Sequence, residues 1–178
     1  GITFYESDVQ MKNVLFLRNR SEDALNIVRS NFTLDKVEFT DIFADALDAD
    51  FSNGKIVNSK FTNIGNDGID VSGSDVSVHN VVMQTIGDKG ISAGERSNLR
   101  ARKISITGAK IALASKDESR LIGDQIIIQT SDIGLASYQK KSEFGPASIR
   151  LSNVQFKETV EVSVSELGSA IIINGQKA

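Results

Sequence analysis

The sequence predicts an all-β fold, a right-handed parallel β-helix forming a single domain over residues 1–178, and three observations predict it. The 178 residues divide into eight units of 22 with 2 left over. Apolar residues recur at spacing two in short β-branched runs, and the same residue types return about every 22 positions.

The alternating runs, such as Lys55-Ile56-Val57 and Asp75-Val76-Ser77-Val78, read as strands and argue against long helices. The repeat is plainest in Asp23-Ala24-Leu25-Asn26-Ile27, Asp45-Ala46-Leu47-Asp48-Ala49, Asp67-Gly68-Ile69-Asp70-Val71 and Lys89-Gly90-Ile91-Ser92-Ala93, each starting 22 residues after the last. The same step reaches Ile111-Ala112-Leu113 and Ile133-Gly134-Leu135. A second set of columns runs in phase through Val14, Val37, Ser59, Val81, Ile104, Ile126 and Val154. Two residues after each stand Phe16, Phe39, Phe61, Met83, Ile106, Ile128 and Phe156. A third set, Met11, Leu34, Ile56, Val78, Ala101, Gly123 and Leu151, lies three residues before the second.

A 22-residue unit with three short strands buries no apolar face alone, whereas stacked units bury a continuous column. The expectation is a solenoid of about eight coils, with three short parallel sheets. Its rungs lie about 4.8 Å apart, which makes a rod roughly 38 Å long. Residues 22 apart then become neighbours. Leu25, Leu47, Ile69, Ile91, Leu113 and Leu135 form an aliphatic ladder, and Phe16, Phe39 and Phe61 an aromatic one. Turns stack as well: Ser7, Ser30, Ser52, Ser74, Ser97 and Ser119 precede core positions by two, and Asn13, Asn58, Asn80 and Asn153 stand immediately before others. Ser and Asn there bond the backbone locally and tolerate unusual dihedrals. The step of 28 from Ile126 to Val154 holds the one real insertion, Tyr138 to Pro146, with the only Pro.

Composition narrows the function classes. Lys plus Arg number 20 and Asp plus Glu 23, a net charge of −3 with interspersed signs, so no nucleic-acid footprint or polybasic anchor is indicated. No Cys means no disulfide framework. No run approaches the ~18 apolar residues of a membrane span, and Gly1-Ile2-Thr3-Phe4 lacks the basic start of a signal peptide. The absence of a leading Met reads as a processed or excised segment. Uncapped ends, with a tail Asn174–Ala178 too short to shield the last rung, suggest further coils of a longer polypeptide or end-to-end self-association.

The coil length, the Asn-Val strand starts and the small-Leu/Ile starts resemble right-handed parallel β-helix proteins of the pectate-lyase-like superfamily. Asn66-Asp67-Gly68-Ile69-Asp70-Val71 and Gly87-Asp88-Lys89-Gly90-Ile91-Ser92 are similar to coils of its polygalacturonase, polysaccharide lyase and uronate epimerase branches. The resemblance implies an exported, periplasmic or cell-surface protein that handles acidic polysaccharide. The chain departs from the polygalacturonase pattern at Asp88, which is followed by Lys89 rather than a second Asp. The only His, His79, lies in a strand, one residue past core position Val78.

The candidate chemistry is a carboxylate cluster on consecutive rungs. Period two points Asn26, Asp48, Asp70 and Ser92 outward on one sheet face, with Asp50 beside Asp48, while Asp23, Asp45 and Asp67 stack at the preceding turn. Carboxylates one rung apart repel, so one is partly protonated, a cation sits between them, or solvent screens them. An enzyme would use Asp48 and Asp70 with Lys89 as the cation or base. A Ca²⁺ site would draw on Asp45, Asp48, Asp67 and Asp70. A bland surface would be a solvated acidic face with Lys89 salt-bridged to Asp67. Polysaccharide-binding residues would be Asn26, Asp50 and Ser92, with Tyr138 and Lys140 from the insertion, since loops on rigid scaffolds often carry function. Lys116-Asp117-Glu118-Ser119-Arg120 reads as a charged turn. Three readings result: a carbohydrate-binding β-helix domain, a polysaccharide lyase, epimerase or hydrolase, and a structural spacer or adhesin shaft.

Overall fold

A computed structural model describes all residues from Gly1 to Ala178. It contains strands and turns and no helix. β1 (Ile2–Tyr5), β2 (Val9–Leu17), β3 (Asp23–Val28), β4 (Asn31–Ile42) and β5 (Asp45–Asp50) open the chain. β6 (Asn53–Val57), β7 (Lys60–Ile64), β8 (Ile69–Ser72), β9 (Asp75–Gly94) and β10 (Asn98–Lys116) follow. β11 (Arg120–Gln129), β12 (Ile133–Tyr138), β13 (Ser148–Lys157), β14 (Glu161–Ser165), β15 (Ala170–Ile173) and β16 (Gln176–Lys177) complete it.

Parallel pairing winds these strands into a solenoid of about eight turns with three faces. On the first face the register runs Ile2, Leu25, Leu47, Ile69, Ile91, Leu113, Leu135 and Ser163, the aliphatic ladder extended at both ends. The second face aligns Met11, Leu34, Ile56, Val78, Ala101, Gly123, Leu151 and Ile173. The third aligns Phe16, Phe39, Phe61, Met83, Ile106, Ile128 and Phe156. Every step predicted from the columns is therefore a rung-to-rung neighbour.

The strands are not all short. β9 and β10 run through all three faces in 20 and 19 residues, turning at residues of positive φ such as Asn80, Thr85, Lys103 and Gly108, with one register shift between Ala109 and Ile111. The corner between the second and third faces stacks Asn13, Lys36, Asn58, Asn80, Lys103, Gln125 and Asn153, all with φ between 51° and 57°. Asn suits this left-handed conformation, and Asn80 Nδ2 also donates to Asn58 Oδ1 at 2.8 Å. Lys and Gln hold the same conformation at three rungs, imposed by the neighbours above and below.

One continuous core fills the lumen. Phe16, Phe39 and Phe61 stack with ring centroids 4.7 and 4.9 Å apart, the rung spacing itself. A serine ladder lines another corner. The backbone N–H of Ser30 donates to Ser52 Oγ at 3.1 Å, that of Ser52 to Ser74 Oγ at 2.9 Å, that of Ser74 to Ser97 Oγ at 3.0 Å and that of Ser97 to Ser119 Oγ at 3.1 Å. Each hydroxyl from Ser30 to Ser74 also donates to the carbonyl two residues earlier, so the serines bond both locally and between coils. The tail is not idle: β16 folds back antiparallel onto Ile172 and Ile173.

Candidate functional site: an acidic trough on the first face

Period two within the first-face strands places Thr3, Asn26, Asp48, Asp70, Ser92, Ala114 and Ala136 in one outward column. Two further columns border it. On one side stand Val28, Asp50 and Ser72, with Gly94, Lys116 and Tyr138 continuing the line. On the other, Asp45 Oδ1 accepts the Asp67 N–H at 2.8 Å and Asp67 Oδ1 accepts the Lys89 N–H at 2.9 Å, while Asp23 pairs in register with Asp45.

A solvated acidic face is one of the readings the sequence allows, and the structure shows these side chains partly covered. Asn26, Asp48, Asp50 and Asp70 are only half-exposed and Ser92 is wholly buried, although all except Asp50 belong to the outward column. The cause is side chains lying along the face. The Lys116 side chain is 7% exposed and passes over Gly94, where an added Cβ would stand 3.4 Å from Lys116 Cε. Its Nζ reaches 3.6 Å from Asp70 Oδ1. The strip between the two bordering columns, here called the trough, has small residues at Ser92, Ala114 and Ala136 as its floor.

Burial governs the electrostatics. Asp48 is pushed from 3.8 up to about 8, first by loss of solvent and then by the charges of Asp50, Asp70, Asp23 and Asp45. Asp67 rises to about 6 through burial, with Lys89 pulling the other way. Burial likewise lifts Asp45 and Asp50. Of the three expected responses to stacked carboxylates, protonation is the one Asp48 adopts, and a nearby cation is the one Asp70 adopts.

Lys89 does not face Asp48 or Asp70. Its Nζ donates to Asp88 and lies 3.5 Å from Asp67 Oδ1. Burial lowers its affinity for a proton, but Asp88 and Asp67 outweigh this and hold it above the ordinary lysine range. Lys116 is the cation that sequence reasoning misses. The signal was available, since Lys116 shares a column with Gly94 and Tyr138, the first leaving room for its stem. Tyr138 is not in the insertion but ends β12, half-buried, its hydroxyl raised by burial and lying within the field of Lys89. Lys140 is exposed, and only its backbone is engaged. His79 is half-exposed on the outside of the second face.

The insertion is anchored on the corner that follows the first face, and the Lys116 to Arg120 segment is more than a charged turn. Asp117, 1% exposed, accepts the backbone N–H groups of Lys140 at 2.6 Å and Lys141 at 2.8 Å. Glu118 Oε1 accepts the Gly145 N–H at 2.8 Å, and its Oε2 accepts Arg96 Nε at 2.6 Å. The Arg96 guanidinium lies 5.3 Å from the Phe144 ring centroid. Lys141 pairs with Glu95, whose charge in turn acts on Asp50.

Three polar atoms of the floor column are buried without a hydrogen-bond partner: Asn26 Oδ1, Asp70 Oδ1 and Ser92 Oγ. The Lys116 contact to Asp70 is an ion pair just beyond hydrogen-bond length. Asn26 Nδ2 donates to Asp23 Oδ2 at 3.1 Å, while its Oδ1 has no partner. No three Asp, Glu or His side chains converge on a point that would hold a metal ion; Asp45 and Asp67 stand in one column and Asp48 and Asp70 in the next, on two rungs.

No known protein family and no curated protein matches the sequence. Among solved structures the chain is similar to the catalytic domain of a GH87 α-1,3-glucanase in complex with nigerose, at 10% identity and a TM-score of 0.44. The match covers 92% of this chain and 48% of that one, so the chain spans about half the length of the structure it resembles. Nothing about the site is carried over from it.

Proposed function

We propose that the chain binds a polysaccharide lengthwise in the first-face trough. The observation that carries this reading is the column of unpartnered polar atoms, Asn26 Oδ1, Asp70 Oδ1 and Ser92 Oγ, spread over four successive rungs about 4.8 Å apart with Asp48 between the first two. Buried polar atoms are ordinarily bonded, and two of these three accept only. The missing partners are therefore donors in a line, which is what the hydroxyls of a sugar chain supply. Lys116 lies over the floor with a long, rotatable stem, and donors of a bound chain would replace its contact to Asp70. A glycan array probed with the 178-residue chain tests the reading. Binding to a hydroxyl-rich glycan, weakened at least tenfold by Asp70→Asn with Ser92→Val, supports it. An empty array overturns it and leaves a spacer or shaft.

One observation favours a catalytic version. Asp48, raised to about 8, is a carboxylic acid at neutral pH one rung from Asp70. A carboxylic acid with a second carboxyl at short range supplies the pair of groups a glycosidase uses. Incubation with whichever glycan is retained, followed by reducing-end and near-ultraviolet assays, separates the versions. Product lost in Asp48→Asn supports catalysis, and no product leaves binding alone.

A further inference from the structure

The geometry points to a second binding site at the corner before the first face, formed by Arg18, Arg20 and Phe43, which takes a sugar ring bearing a tetrahedral oxyanion ester. The corner encloses a recess of about 560 Å³, within the size range of small-ligand sites. Arg18 and Arg20 line it, are exposed, and make no ion pair or side-chain hydrogen bond, unlike Arg29, Arg96, Arg100 and Arg102, which all have acidic partners. Phe43 lines the same recess at 71% exposure, a ring left in water beside two free guanidinium groups.

The recess is rigidly built. Its walls come from three successive coils joined by backbone hydrogen bonds, the Phe43 N–H to Asn19 O at 2.9 Å and the Gly65 N–H to Ile42 O at 2.9 Å. Gly65 lets those backbones meet, since a Cβ there would stand 1.9 Å from Phe43 O. The remaining polar groups are mixed, with Asn19 Nδ2 free to donate. Asn63 Nδ2 gives one N–H to Asp41 Oδ1 at 2.7 Å, which leaves Asn63 Oδ1 and Asp41 Oδ2 to take hydroxyl donors.

These groups select a ligand class. Two unpaired guanidinium groups lining one recess offer more donors than the two oxygens of a carboxylate take up, and the three free oxygens of a sulfate or phosphate ester match them better. Two arginines and one aspartate leave a surplus of one positive charge, the magnitude of a sulfate ester, whereas a phosphate ester carries between about −1.5 and −2. The Phe43 face covers the apolar side of a pyranose, and the acceptors take its hydroxyls. A continuous polyanion does not suit the place, because the Asp23, Asp45 and Asp67 ladder begins close beside it.

Calorimetric or NMR titration of the whole chain with glucose 6-sulfate, glucose 6-phosphate, glucuronate and glucose tests this proposal. Glucose 6-sulfate or 6-phosphate should bind at least tenfold more tightly than glucuronate and glucose, and the order of the two esters identifies the natural group. The double variant R18Q/R20Q should lose at least tenfold in ester affinity and Phe43→Ala several-fold, with Arg120→Gln, an exposed arginine on the second face, as the charge control. All the substituted side chains are exposed, so folding is checked simply by an unchanged thermal midpoint. Equal binding of glucuronate, unchanged ester binding in R18Q/R20Q, an equal loss in Arg120→Gln, or no ester binding at all overturns the proposal. None of these outcomes touches the trough, which is read by neutral glycans.

Discussion

Lys116 Nζ lies 3.6 Å from Asp70 Oδ1 although the two residues stand two rungs apart, and the lysine stem reaches across over Gly94. With the Lys116 side chain 7% and that of Asp70 26% exposed, the pair is neither a surface bridge nor fully buried. Removing the lysine leaves a half-desolvated carboxylate without its counter-charge. Lys116→Met should lower stability by about 1–3 kcal/mol, discounted from the cost of a fully buried pair. D70N/K116M should recover most of the loss. Denaturant titrations of the two single variants and the double close the cycle, and a coupling near zero would show that the lysine only fills space.

The raised carboxylates give stability a pH dependence of definite sign. Asp48 binds its proton up to about 8 in the folded chain and releases it near 3.8 when unfolded, so between those values the native state holds more protons. Stability from this group is complete below the unfolded value and falls as pH rises towards 8. Asp67, raised to about 6, acts in the same direction over a narrower window. Glu118 and Asp124, held low chiefly by Arg96 and by Asn153, act oppositely, but both are near the surface and count for less. The thermal midpoint should therefore be higher near about pH 5 than near about pH 8.5, by about 2–4 °C for each kcal/mol of linkage. Asp48→Asn should flatten the slope. An equally steep profile in the variant would remove Asp48 as its source.

Within the serine ladder, burial sets the cost of substitution. Ser74 Oγ accepts the Ser52 N–H and itself donates to Ser72 O, all inside the coil. Ser74→Ala strands the buried Ser52 N–H and should cost about 1–3 kcal/mol. Ser7 sits in the same column at the exposed end, where its Oγ only donates to Tyr5 O. Ser7→Ala should change stability by under about 0.5 kcal/mol. Equal effects at the two positions, measured by chemical denaturation, would mean that the ladder bonds are dispensable.

The columns were legible because a repeat writes its contacts into the sequence: residue spacing becomes spatial neighbourhood, and Phe16, Phe39 and Phe61 stack as the spacing implies. The rows of the trough were legible for the same reason. Its depth was not, because depth depends on where Lys116 lays its stem and on the space at Gly94, and neither follows from period two. The insertion was visible as a 28-residue step, but its anchoring was hidden, since Asp117 and Glu118 hold it with side chains that bond backbone N–H groups more than twenty residues away. The unpaired state of Arg18 and Arg20 was equally hidden, being a property of what their neighbours lack.

Gly65 and Gly87 look in sequence like ordinary turn residues, yet neither is required to adopt a positive φ. What excludes a side chain at both is the approach of the next coil: a Cβ at Gly65 would stand 1.9 Å from Phe43 O and one at Gly87 2.1 Å from Gly65 O. Both obstacles are backbone carbonyls held in the corner stack, where the Gly65 N–H bonds to Ile42 O at 2.9 Å, so neither can rotate away. Gly65→Ala and Gly87→Ala should each destabilise the chain by about 1–3 kcal/mol, the range for forcing extra atoms into a packed site. Gly175→Ala tests a different mechanism, since no atom lies within 4 Å of its added Cβ and its φ of 82° alone opposes a side chain. That variant should cost about 1–2 kcal/mol through the backbone and leave the corner intact. Thermal melts of the three variants, together with glucose 6-sulfate titration of Gly65→Ala, separate the two causes. Loss of ester binding without loss of stability in Gly65→Ala would mean that the glycine shapes the recess and not the stack.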